Sequence, residues 1–197
     1  MNIKVIGTLA ALAVVGAMAM SSINTIPTKD EAVKSAWGQV ENQYQRRADL
    51  IPNLVETVKG YAQHENSTLV AVTQARSAIK DMKDQGQINN TAAGVQKFEQ
   101  AQQRLGVALG AVLTLQERYP ELKADKQFMN LQSQLEGTEN RITYARTQYV
   151  NSVRSFNTTI RTFPGSVWNS VIYKEEPKAS FTAEEGSKVA PKISMTK

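Results

Sequence analysis

The chain has 197 residues, 41% hydrophobic and 21% charged, with 23 Lys+Arg against 18 Asp+Glu, no cysteine and one histidine. The absent cysteine excludes disulfide scaffolds, thiol catalysis, Cys-based zinc sites and iron–sulfur clusters, and one histidine excludes multi-histidine metal centres. The net charge of +5 is small for a nucleic-acid footprint, so no nucleic-acid partner is expected, and the length suits one domain with tails.

The first element is apolar. Val5 to Met20 reads VIGTLAALAVVGAMAM without a charge. Its larger side chains are Val5, Ile6, Leu9, Leu12, Val14, Val15, Met18 and Met20. A cleaved signal peptide fits Lys4 as the positive flank and Ala17-Met18-Ala19 as the cleavage site. A retained anchor needs about 20 apolar residues, and the uncharged stretch continues to Pro27. The anchor over residues 1–27 is the favoured reading. It makes membrane lipid a partner and the chain a single-pass membrane protein.

After Pro27, Thr28 and Glu31 have capping-box spacing. An apolar seam then steps by fours and threes through Val33, Trp37, Val40, Tyr44, Arg47, Ile51, Leu54, Val58 and Tyr61, which is helical periodicity. Pro52 lies inside it. Proline removes one backbone bond and crowds the preceding turn. The phase nevertheless passes Pro52 without a skip, so a kink is expected there rather than a reversal. Asn66 or Ser67 is expected to cap a second helix, with Leu69, Val72, Ile79 and Met82 on its seam. Asn90 or Thr91 starts a third, carrying Val95, Phe98, Ala101, Leu105, Ala108, Val112 and Leu115, and Tyr119-Pro120 ends it. The last helix runs from about Lys126 to Phe163, with seam residues Phe128, Leu131, Leu135, Thr138, Ile142, Ala145, Tyr149, Val153, Phe156, Ile160 and Phe163. At 1.5 Å per residue it measures about 57 Å. Ser166–Tyr173 is a short apolar piece. Residues 174–197 hold scattered charges and two prolines and read as a disordered C-terminal tail.

Arg46-Arg47-Ala48-Asp49-Leu50-Ile51-Pro52-Asn53-Leu54-Val55-Glu56-Thr57-Val58-Lys59-Gly60-Tyr61, with Ala36-Trp37 before it and His64-Glu65 after it, resembles the signature of the LemA family of bacterial membrane proteins. A second block agrees: Tyr119-Pro120-Glu121-Leu122, Leu135-Glu136-Gly137-Thr138-Glu139-Asn140-Arg141-Ile142, Ala145-Arg146, Phe156-Asn157 and Phe163-Pro164. The likeness covers about residues 33–173 and stops at the tail. It implies an all-α protein, an N-terminal transmembrane helix followed by an antiparallel up-and-down four-helix bundle with long helices over residues 28–173. It implies no reaction and no cofactor. Family links to magnetosome membranes and to a membrane metalloprotease imply either a self-associating scaffold, a homo-oligomer, or an adaptor of a membrane protease.

The polar motif residues are Arg46, Arg47, Asp49, Asn53, Glu56, His64 and Glu65 early, and Glu136, Glu139, Asn140, Arg141 and Arg146 late. Asp49, Asn53 and Glu56 share a helix face that borders the seam. A buried carboxylate–guanidinium network between the first and last helices is therefore expected. Its leading role is to fix register; a ligand site is the alternative, and catalysis is not expected. His64-Glu65 lacks the second histidine that a dimetal bundle site needs, so no metal is expected. Trp168 and Tyr173 follow the last helix and either rest at a lipid surface, which Trp and Tyr favour, or fold back on the bundle. Arg141, Arg146, Arg154 and Arg161 lie in an interval from Glu139 to Glu175 that contains no acid. They suit both a helix C-terminus and an anionic cytoplasmic leaflet. The bundle is expected on the cytoplasmic side of the inner membrane, while Lys4 before the span leaves the periplasmic side open.

Overall fold

The structure, a computed structural model, describes residues 22–181 together with Gly7 and Gly16. Val5, Ile6, Leu9, Leu12, Val14, Val15, Met18 and Met20, the expected anchor residues, lie outside the described residues. Among those described, no helix is long and apolar enough to cross a membrane, and no strand is present. The helices are α1 (Thr25–Lys59), α2 (Asn66–Asp84), α3 (Ala92–Thr114), α4 (Pro120–Ala124), α5 (Lys126–Arg161) and α6 (Gly165–Trp168). A 3-10 turn at Leu115–Glu117 extends α3, and a π-helical turn at Asn169–Tyr173 extends α6.

Side-chain bonds between elements fix the helix directions. At one end Tyr61, just past α1, donates to Asp125, which caps α5. At the other, Trp168 beyond α5 donates to Ser22 before α1. The two long helices are therefore antiparallel, and they pack along most of their length. Arg76 donates to the Ala48 carbonyl and Lys83 to Gln45, so α2 descends along α1. Phe98 sits against Trp37 and Tyr44, and Arg118 and Tyr119 reach Glu65 at the far end. α3 therefore runs parallel to α1, and α1, α2, α3 and α5 alternate in direction.

The seams explain the core. Val33, Trp37, Val40, Tyr44, Arg47, Ile51, Leu54 and Val58 are all buried on α1. Pro52 is inside this helix and exposed; the helix continues through it without a reversal. Phe128 to Ile160 line the buried face of α5 at every expected position. Both ends of these seams need correction. Tyr61 is 42% exposed and Ala62 takes the inner position, because α1 stops at Lys59 and the chain turns. Phe163 is 84% exposed, because α5 stops at Arg161. On α3 the buried set includes Gln102 and Leu109, while Ala101 and Ala108 are only half-buried.

Caps follow side-chain chemistry in two of four places. Thr91 accepts from the Gly94 amide and Asp125 from the Phe128 amide, satisfying donors that a helix start leaves free. Thr28 is not a cap: α1 begins three residues earlier, and its hydroxyl donates back to the Asn24 carbonyl. Glu65, not Asn66 or Ser67, precedes α2. Pro120 opens the short α4, where proline has no amide to lose.

The segment expected to start a disordered tail is ordered against the bundle. Residues 174–181 run back along α5. Asn157 donates to the Lys178 carbonyl and accepts from the Lys178 amide. Tyr149 donates to the Ala179 carbonyl. Phe181 stacks on Trp37 and meets Tyr149 edge-on, at 6.0 and 5.4 Å between ring centres. Three polar groups and one aromatic plug supply what composition does not reveal. Residues 182–197 lie outside the described residues.

Two glycines give a test of this packing. An ideal Cβ on Gly165 would lie 2.1 Å from the Thr159 carbonyl oxygen, a backbone atom that cannot rotate away. A Cβ on Gly110, within α3, would meet nothing within 4 Å. Gly165→Ala should lower stability by about 1–3 kcal/mol, whereas Gly110→Ala should raise it by about 0.5–1 kcal/mol. Denaturant unfolding of the two variants measures both; the reverse order would contradict the close approach of α6 to α5.

Candidate functional site

The motif residues occupy two places. Near the middle of the rod, Arg47 projects from the buried seam of α1 and pairs with Glu139 of α5 at 3.0 Å; its side chain is 10% exposed and that of Glu139 57%. Arg146, about two turns further along α5, neighbours the Tyr44 hydroxyl of α1. It meets Glu99 of α3 at 2.6 Å, and its guanidinium carbon lies 4.3 Å from the Phe181 ring centre. Between the first and last helices, Arg47 pairs with Glu139, and the Tyr44 hydroxyl lies within reach of Arg47, Glu139 and Arg146; Arg146 in turn recruits α3 through Glu99. The Glu99 contribution was not visible as part of any motif. Its only signal is a carboxylate one residue from Phe98 on the α3 seam.

Arg46, Asp49, Asn53, Glu56, Glu136, Asn140 and Arg141 are exposed. Asp49 accepts from Gln45 one turn away, and Glu136 from Gln132. The three groups whose convergence would make an acid–base site, Asp49, Glu56 and Arg146, do not share one. Asp49 and Glu56 face solvent while Arg146 packs between Glu99 and Phe181.

The second place is the end of the rod where α1 turns into α2. Glu65 takes a two-pronged bond from Arg118 and a third from the Tyr119 hydroxyl. Tyr61 donates to Asp125. The Phe128 amide and the Tyr61 hydroxyl hold the Asp125 carboxyl below the usual carboxylate range. His64 is exposed beside them. Among the described residues, no three His, Cys, Asp or Glu side chains come close enough to hold a metal ion. This end is a clasp that ties two loops together.

A cleft of about 210 Å³ opens between α1, α2 and α3, lined by Glu41, Tyr44, Arg76, Lys83, Ile88 and Gln102 among others. Glu41 accepts from the Trp37 indole, and burial pushes its carboxyl up despite that bond. The Gln102 amide has no hydrogen-bond partner at either end. Burial also pushes the Tyr149 hydroxyl up to about 12, so it stays a donor to Ala179 at any physiological pH. None of these groups is a nucleophile set against a base, which a covalent mechanism would need.

At the opposite end, Trp168 and Tyr173 fold back. Both are half-buried; the indole donates to the Ser22 hydroxyl at 2.8 Å and the phenol to the Ile23 carbonyl at 2.9 Å. Arg154 and Arg161 are exposed on α5. Phe163, Val167, Val171 and Ile172 are the exposed apolar side chains here.

Helical seams, the α1–α5 ion pair and the Glu65 clasp take up Trp37, Arg47, Glu139 and Glu65 of the motif. Residues 36–195 match the LemA family, and the chain belongs to it. The match runs well past Tyr173, where the resemblance read from the sequence stopped. The chain is 26% identical over 141 residues to Protein LemA of Metamycoplasma hominis, covering 71% of this chain and 60% of that protein. It is 25% identical over 187 residues to Magnetosome protein MamQ 2 of Paramagnetospirillum magneticum, covering 87% of this chain and 67% of that one. Magnetosome protein MamQ 1 of the same organism matches equally. The chain therefore spans three-fifths to two-thirds of the length of these relatives.

Two outcomes test these assignments. Removing the Glu139 carboxylate alone strands a buried guanidinium, and removing both partners strands nothing. Glu139→Gln should cost about 1–3 kcal/mol, and adding Arg47→Met should recover part of that loss in a double-mutant cycle. A simple sum of two losses would mean that the pair is not coupled. Asp125 has a depressed folded value, so its contribution is present above its unfolded pKa of about 3.9 and is lost as pH falls through the folded value. Asp125→Asn should lower stability near neutral pH and flatten the loss below about pH 4. Urea titrations across that range measure it; an unchanged slope would rule out the Asp125 contribution.

Proposed function

We propose that the chain is a non-enzymatic, membrane-tethered helical rod that self-associates or scaffolds other membrane proteins. The observation that carries this reading is the use of the family motif. Its buried charge, Arg47, goes to a helix-to-helix pair, and Glu65 to a loop clasp. The remaining motif carboxylates are single and exposed. An active site would instead gather such groups in one cavity with divergent proton affinities. The apolar stretch Val5–Met20 supplies the tether, a single pass through the inner membrane with the rod leaning to the cytoplasmic side. Two relatives are named as magnetosome proteins, and that name is in keeping with this reading.

Native mass spectrometry of the full chain in lipid nanodiscs drawn directly from cell membranes tests the proposal. Homo-oligomers or complexes with other membrane proteins are expected. A monomer without companions would overturn it. If deletion of the gene alters turnover of a membrane protease's substrates while the chain stays monomeric, the adaptor reading replaces the scaffold.

A further inference from the structure

Past the end of α5, four apolar side chains stand in water. Phe163 is 84% exposed, Val171 69%, Ile172 48% and Val167 45%. Residues 163, 167 and 171 are four apart, and 165–173 is helical throughout, so Val167 and Val171 share one face with Phe163 leading into it. Soluble surfaces rarely gather such residues without a contact to cover them.

The piece is built to hold this posture. Gly165 presses on the Thr159 carbonyl. Trp168 and Tyr173, the two amphipathic aromatics, are turned inward and bonded to Ser22 and Ile23. Lys174 closes the turn in the left-handed region, at φ 52°. The Asn169 side chain then donates to the Glu175 carbonyl and accepts from its amide. The polar groups of the turn are satisfied internally, and its purely apolar side chains are left outside.

We infer that this turn is a lipid-docking lip, in which Phe163, Val167, Val171 and Ile172 enter the interfacial zone of a bilayer. Three observations select lipid as the occupant. Ser22 and Ile23, which the lip grips, directly follow the apolar stretch Val5–Met20, so the chain leaves the lip toward its own hydrophobic segment. Arg161 and Lys174, both exposed, flank the patch in the chain; no acid lies between Glu139 and Glu175, and the Asp30 and Glu175 carboxylates at this end lie against Lys178. A short apolar face flanked by basic residues matches the pattern of a surface-lying segment. Anionic headgroups would add attraction to the basic flank. The inference deepens the tether reading and rests on it for the orientation of the rod.

The chain has no cysteine, so single nitroxide labels can be placed without a background variant. Full-length chains carrying Phe163→Cys, Val171→Cys, Leu12→Cys or Val107→Cys are labelled and reconstituted in vesicles of phosphatidylcholine and phosphatidylglycerol. Collision with oxygen, which concentrates in lipid, is compared with collision with a water-soluble nickel chelate. Labels at 163 and 171 should show a severalfold higher oxygen-to-nickel ratio than the label at 107, a position 77% exposed on α3. Ratios equal to that at 107 would overturn the lip. Low collision with both reagents would mean that protein covers the patch, and would overturn it too. The label at 12 separates the readings. Lipid-like at 12 but aqueous at 163 and 171 leaves the tether and removes the lip; aqueous at 12 but lipid-like at 163 and 171 removes the span and keeps the lip.

Discussion

Trp37 is where four parts of the chain close on one another. Its ring meets Phe98 of α3 at 5.8 Å, Tyr149 of α5 at 5.1 Å and Phe181 of the returning segment 174–181 at 6.0 Å. Its indole nitrogen is bound within α1 by Glu41. Aromatic pairs of this kind add about 0.5–1.5 kcal/mol each beyond burial. More importantly, they demand specific angles. A rod made of seams alone can slide by a turn at modest cost, since leucine packs on leucine almost anywhere. A ring wedged among three others from separate elements has one register. The Arg146 guanidinium over Phe181 and its pair with Glu99 extend this node on the α5 side.

The ion pairs then act where the aromatic node does not reach. Arg47 lies about three turns from Trp37 along α1 at 3.6 residues per turn, and Glu65 is beyond the end of that helix. Neither pair contributes much as charge in isolation, since one partner of each, Glu139 and Arg118, is largely in water and exposed pairs are worth at most about 1 kcal/mol. Their value is directional. A buried guanidinium with one carboxylate within reach penalises every other register of α5 against α1. Arg47 and Glu65, two of the motif's charged residues, thus act as positional constraints at separate points along the long helices.

The helix seams were legible because burial has a period. From Val33 to Val58 and from Phe128 to Ile160 the inward positions could be written down from spacing alone, including the passage through Pro52. Ends were not legible. Tyr61 and Phe163 continue the periodic count but sit past the last helical residue, where direction is set by the turn rather than by the helix. Thr28 offered capping chemistry that the chain did not need, since α1 starts upstream of it. The ordered segment 174–181 was missed for a different reason. Part of its hold on the bundle comes from backbone groups bound by Asn157 and Tyr149, which leave no trace in composition, and the rest from two isolated side chains, Phe181 and Lys178, that follow no period. Arg146 stands out in the sequence as part of a motif, but its partner Glu99 is on a helix with no motif.

Trp168 and Tyr173 show how the same residue types serve two ends. Amphipathic aromatics suit a bilayer interface because one part wants apolar company and the other wants a hydrogen bond. Here both needs are met within the protein, through core contacts and through Ser22 and Ile23. That choice has a consequence for the neighbours. With the aromatics turned inward, Val167 and Val171 of the same helical piece are left exposed. A lip that merely capped the bundle would place polar residues there at no cost to the cap. Phe163, Val167, Val171 and Ile172 are the side chains that the proposed lip would place against lipid. Because the inner face is fastened to the two residues that lead into the hydrophobic segment, a lipid contact at the outer face would orient the whole rod: the tether would fix its position, and the lip its tilt.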